Sequence, residues 1–149
     1  MKRRIWTPAI LLVLWLAISA VASLTITYVE GFGPMTRVDI AFSTGTNNYD
    51  TGSTKPLYGH IDRVVVPAVA CTGATFDVTL TDAAGVDVLG GAGAAVATNT
   101  LTSLCPGIAR GVSGAATNIS PYAVASALTL TVTNIGASMT GTISVYLAP

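Results

Sequence analysis

The sequence predicts an all-β protein: an antiparallel β-sandwich, jelly-roll or Ig-like, of about seven or eight strands, preceded by an apolar N-terminal helix. Three observations carry that prediction. Apolar and polar residues alternate with period two along most of the chain, as in strands buried on one face. Clusters of Gly, Pro and Asn cut the alternating runs into short pieces. After residue 23, no long stretch combines helical periodicity with capping residues.

The first 22 residues stand apart. Met1-Lys-Arg-Arg4 is basic, an apolar run follows from Trp6 to Ile18, and small residues close the segment at Ala20 and Ala22. That is the order of a secretory signal, with cleavage between Ala22 and Ser23. Retained, the same segment is a membrane anchor. Trp6 to Ala22 spans roughly 25 Å as a helix, and extension to Ile26 reaches the ~30 Å of a bilayer core. A start codon further downstream is the third reading. The expected organisation is therefore residues 1–22 as signal peptide or anchor helix and residues 23–149 as a single β-sandwich domain. The signal places that domain outside the cytoplasm, and a membrane is involved only through residues 1–22 if they stay uncleaved.

The strands follow in order. Leu24 to Val29 alternates, and Glu30-Gly-Phe-Gly-Pro34 supplies a turn. Val38, Ile40 and Phe42 share one face, with Arg37, Asp39 and Ala41 on the other. Thr44 to Pro56 is rich in Gly, Asn, Thr and Ser and reads as a loop. Gly59 to Val66 is a strand ended by Pro67. Phe76, Val78 and Leu80 alternate with Asp77, Thr79 and Thr81, and Val86 to Leu89 is expected to return beside them as a hairpin. Gly90 to Ser126 has no decisive period. Leu128 to Thr133 and Gly141 to Leu147 close the domain, with threonines on the outer positions, where their branched Cβ suits a strand.

Charge limits the function. Charged residues make up 9% of the chain, against about a quarter in ordinary proteins. Beyond residue 22 only Arg37, Lys55, Arg63 and Arg110 are basic, against seven acidic residues. Nucleic-acid surfaces need clustered Lys and Arg, so no nucleic-acid partner is expected. A surface of Thr, Ser, Asn and backbone suits a close-packed assembly or an adhesive layer.

Little points to catalysis or cofactors. His60 is the only histidine, and a general base needs a nucleophile oriented beside it. Asp77, Asp82 and Asp87 flank one predicted hairpin; Asp77 and Asp87 read as solvent-side strand residues and Asp82 as a turn cap. The Asp82–Asp87 segment is too poor in ligands for a calcium loop, and two cysteines with one histidine fall short of a zinc set. No catalytic, cofactor-binding or metal-binding residue is assigned. Cys71 and Cys105 are a disulfide pair if the domain is exported, or else two buried thiols.

Three stretches resemble a family of small β-sandwich virion proteins of tailed bacteriophages. They are Met35 to Thr44 with Tyr58 to Val64, Thr75 to Gly91, and Leu128 to Ser138 with Gly141 to Leu147. The resemblance implies a non-enzymatic structural subunit of the decoration, fibre or tail-associated type, whose partners are copies of itself or other structural subunits. The signal-like N-terminus departs from that family's pattern. The alternative is a secreted bacterial surface module binding carbohydrate or cell wall. Location is accordingly extracellular or virion.

Overall fold

A computed structural model describes residues 24–32, 34–71, 73–104, 108–109 and 119–149. The expected helix of residues 1–22, the Ala22–Ser23 cleavage point and Cys105 lie outside the described residues. Among the described residues there is no helix; twelve strands make up the fold. They are β1 (Thr25–Phe32), β2 (Met35–Ser43), β3 (Tyr49–Ser53), β4 (Gly59–Val66), β5 (Thr75–Thr81), β6 (Val96–Ala97), β7 (Thr102–Leu104), β8 (Ile108–Ala109), β9 (Ile119–Ser120), β10 (Tyr122–Val124), β11 (Thr129–Thr133) and β12 (Thr140–Ala148).

Two antiparallel sheets hold ten of them. The large sheet runs β1-β2-β12-β4-β10, with β7 also on β4, and the small sheet runs β3-β11-β5-β6. β8 and β9 form a separate two-stranded ribbon. The chain changes sheet between β2 and β3, β3 and β4, β4 and β5, and again around β11, so neighbours in sequence mostly end in different sheets.

The alternation explains which faces meet. In the large sheet Val145 lies between Val38 and Val64, and Ile143 pairs with Ile40. In the small sheet Leu130 pairs with Leu80 and Val132 with Val78. All nine are buried and belong, with Phe42, Ile61, Phe76 and Leu147, to one hydrophobic cluster drawn from both sheets. Each fully buried side chain of this size contributes about 1.5–3 kcal/mol over its exposed state.

The two sheets hold ten strands where the sequence predicts seven or eight, because β3 and the short strands β6, β7 and β10 have no clear alternation. Two further expectations need correction. Thr44–Pro56 is not all loop, because β3 lies within it and pairs along its whole length with β11. Its core-facing positions are Asp50 and Gly52, so the strand lacks an apolar stripe. The Asp50 carboxylate, almost fully buried, accepts the amides of Ser43 at 2.8 Å and Thr51 at 2.9 Å. A Cβ on Gly52 would sit 3.0 Å from that of Leu24. The second correction concerns Val86–Leu89, which forms no strand.

Beside β5 the returning chain makes one isolated bridge, Thr81 to Asp87, and then turns away. The cause is Asp87. Its carboxylate accepts the amides of Leu89 at 3.0 Å and Gly91 at 2.9 Å, curling the backbone into successive turns. The Gly93 carbonyl then accepts the Val78 amide at 2.8 Å. A side chain there is excluded, since its Cβ would fall 2.0 Å from the Val78 carbonyl oxygen. The chain rejoins β5 only at β6, where Val96 pairs with Phe76. The residues from Gly90 to Ser126 thus hold short strands, of two or three residues each, where the sequence has no clear period.

Candidate functional site

The outer face of the small sheet is the most regular surface of the molecule. Strand registers place Ser53, Thr129 and Thr81 in one row and Thr51, Thr131 and Thr79 in the next. Tyr49, Thr133 and Asp77 make the third row. Neighbouring strands lie about 4.8 Å apart and same-face residues about 6.7 Å apart along each strand. The result is a lattice of hydroxyls and methyls. Thr51 and Thr131 share a hydrogen bond of 3.0 Å, and Ser53 and Thr129 one of 2.7 Å. Thr51 also donates to the Leu130 carbonyl.

Charge enters this face along the β5 edge, at Asp87, bridged to Thr81 at the end of the first row, and at the corner held by Asp77. There Asp77 accepts the Ala95 amide at 2.8 Å and the Asn134 side-chain amide at 2.6 Å. The Ala95 bond, then the Asn134 bond, hold its carboxyl below the usual carboxylate value. Tyr49, half exposed, stands in the same row. A face of this kind offers neutral hydrogen bonding and shallow apolar contact, and little pull on an ion.

The outer face of the large sheet carries an ion pair and a stacked cation. Arg37 lies 2.9 Å from Asp39, whose other oxygen accepts the Ser144 hydroxyl at 2.6 Å. The Arg63 guanidinium stacks 4.3 Å above the Tyr146 ring, a cation–π contact. At one end of this face Thr25, Ser43, Thr140 and Thr142 line an open groove of about 420 Å³ floored by Ala41 and Gly141.

A second groove, of about 310 Å³, lies between the Asp82–Ala84 turn and β10. Asp82 caps that turn as the sequence predicts, accepting the amides of Ala84 and Val86 at 2.9 Å each. It also accepts the Tyr122 hydroxyl, which ties the end of β5 to β10 in the other sheet. That bond, followed by the Val86 amide, holds the Asp82 carboxyl below its usual value. The same bond, with burial, pushes the Tyr122 phenol up to about 12.

The remaining sequence candidates are scattered. His60 is exposed, its Nδ1 lying 3.4 Å from the Pro149 carbonyl, and no serine or cysteine is placed beside it by any hydrogen bond described. Asp87 is not a plain solvent-side residue but a cap for backbone amides. Cys71 is half-buried with its thiol 3.5 Å from the Gly73 carbonyl, while its expected partner Cys105 lies outside the described residues. Among the described residues, no group of three or more His, Cys, Asp or Glu side chains could hold a metal ion. Nor is any helix among them long and apolar enough to cross a membrane.

Sequence reasoning missed three buried polar residues, Thr44, Asp50 and Thr54. Thr44 accepts the Met139 amide at 3.0 Å, and Thr54 accepts the Leu128 amide at 3.0 Å. Thr44 joins the ends of β2 and β12 in the large sheet and Thr54 the ends of β3 and β11 in the small sheet, and no local pattern marks them. No protein-family model, curated protein or solved structure matches the chain.

Proposed function

We propose that this chain is a non-enzymatic structural subunit, a β-sandwich of jelly-roll or Ig-like kind that assembles with copies of itself or decorates a larger shell, as virion proteins do. The carrying observation is the outer face of the small sheet. Its rows of neutral, partly exposed hydroxyls lie in register across three strands, and the two carboxylates at its edge, Asp77 and Asp87, are each already engaged by amide donors. Faces of neutral, closely spaced side chains pack against other protein surfaces with low desolvation cost and many small contacts. The carboxylates that sequence offered to catalysis support the same reading, because Asp77, Asp82 and Asp87 are all occupied with amides or a phenol. No cofactor is part of this proposal. The compartment proposed is the cell exterior or a virion, with a membrane contact only through residues 1–22 if these remain attached.

The test is Thr79→Lys, which puts a cation on an exposed position of that face. The variant is expected to keep the wild-type circular dichroism spectrum and to sediment as a smaller species than the wild type. Identical sedimentation of both proteins would remove this face from the assembly.

A second reading, a secreted surface module binding carbohydrate or cell wall, is favoured by one specific arrangement. Half-exposed Tyr49 adjoins the Thr133 hydroxyl and the Asp77–Asn134 pair, and sugars stack on rings bordered by such polar groups. Retention on an insoluble polysaccharide that is lost in Tyr49→Ala would favour it. Absence of retention would count against it.

A further inference from the structure

We propose that two copies of this chain join through β1, edge to edge and antiparallel about a two-fold axis at Thr27, so that the two large sheets become one continuous sheet. The inference rests on the assembly reading above and names the surface and the partner.

The edges of the two sheets are unequal. The small sheet ends in β3, five residues long, and β6, two residues long; the large sheet ends opposite β1 in β7 and β10, three residues each. Short strands are one way in which proteins blunt a sheet edge. β1 is eight residues long and, among the described residues, pairs on one side only, with β2. From Thr25 to Val29 it carries no charge and no proline, the other usual guards.

Its core-facing side chains also lack full cover. Ile26 and Tyr28 are only partly buried, whereas Ile40 and Val38, their partners on β2, are fully buried. A strand added beside β1 would supply the missing cover. The regular part of β1 is Thr25 to Val29, which pairs with Ala41 to Arg37 without a break, before a bulge. Its midpoint is Thr27.

A two-fold axis there sets Thr27 against Thr27, Ile26 against Tyr28 and Thr25 against Val29. Core-facing residues meet core-facing residues, and no like charges oppose each other. The segment is thus self-complementary, as an isologous contact requires. Five residue pairs bury less than the roughly 1,200 Å² of a stable standalone interface. The contact is therefore weak in a lone pair and gains strength when other faces hold the copies together.

The test uses the full chain with Cys71 and Cys105 in place. Under mild oxidation Thr27→Cys is expected to give mostly disulfide-linked dimer on a non-reducing gel, well above the wild-type background, since directly opposed strand residues lie within disulfide reach. Thr25→Cys alone is expected to stay near background, and an equal mixture of Thr25→Cys with Val29→Cys to cross-link. Thr27→Lys, at an exposed position, is expected to fold normally and to weaken self-association at least tenfold. Equal cross-linking of Thr25→Cys and Thr27→Cys would overturn the register. Large wild-type assemblies with no cross-link at 27 would overturn the β1 contact and leave the assembly reading standing. A wild type that stays monomeric at every concentration, with no cross-link, would overturn both.

Discussion

The central strands of the large sheet and the segment from Asp82 to Val96 solve the same problem differently. In β2, β12 and β4 the backbone groups are satisfied by ladders, and the side chains between them are buried apolar groups such as Val38, Ile143 and Val64. From Asp82 to Val96 the ladder stops after one bridge, and carboxylates take over: Asp82 holds Ala84 and Val86, Asp87 holds Leu89 and Gly91, and Asp77 holds Ala95. The first region is held by ladders and buried area, the second by directed bonds that seat the buried side chains of Val88, Leu89 and Val96. Substitutions should therefore cost most in the first and depend on pH only in the second.

The largest effect expected is for Ile143→Ala, which empties a fully buried site between β2 and the small sheet. It should cost about 2–5 kcal/mol, read as a lower denaturant midpoint at unchanged slope. Gly93→Ala comes next, at about 2–3 kcal/mol, because its methyl group must displace the β5 backbone. A Gly93→Ala loss larger than that of Ile143→Ala would break the comparison, making the turns and not the ladders the stability centre.

Asp87→Ala is expected to cost about 1–2 kcal/mol, chiefly by leaving the part-buried Leu89 amide without its acceptor. Asp87→Asn should recover part of this, as it keeps one acceptor oxygen. The smallest change is Tyr122→Phe, about 1 kcal/mol at neutral pH, and its signature is the pH profile. Asp82 raises the Tyr122 phenol from 10.0 to about 12. The folded state thus holds that proton more tightly than the unfolded chain does. The stability it adds is complete below pH 10 and is lost as pH climbs through the folded value of about 12. Asp82 runs the other way. Its carboxyl is held below 3.8, so its contribution is complete above that pH and fades as pH falls through the lower folded value. Thermal melts of wild type and Tyr122→Phe should converge in strong alkali and differ at neutrality. A constant difference across that range would remove the Tyr122–Asp82 bond from the stability account.

The same contrast explains what could be read from the sequence. β4 is expected over Gly59–Val66 and found there, and β5, β11 and β12 fall within a residue or so of their alternating runs. Their inward positions are apolar at every second residue, so pattern and structure coincide. β3 escapes notice because its inward positions hold Asp50 and Gly52, whose burial depends on Ser43 and Leu24 elsewhere in the chain. Val86 and Val88 alternate like a strand, yet Asp87 between them captures amides ahead of it and ends the pairing. The hydroxyl face was half legible. Outward threonines on β5 and β11 follow from alternation, but their alignment into rows with β3 depends on registers that no local pattern encodes. The Tyr122–Asp82 tie, 40 residues apart in sequence, is invisible for the same reason.

Assembly is the central claim, and sedimentation velocity of the wild-type chain over a wide concentration series tests it most directly. The account predicts species larger than the monomer whose share rises with concentration and changes little with salt, because the contacting faces are neutral. A single monomeric species at every concentration would contradict it.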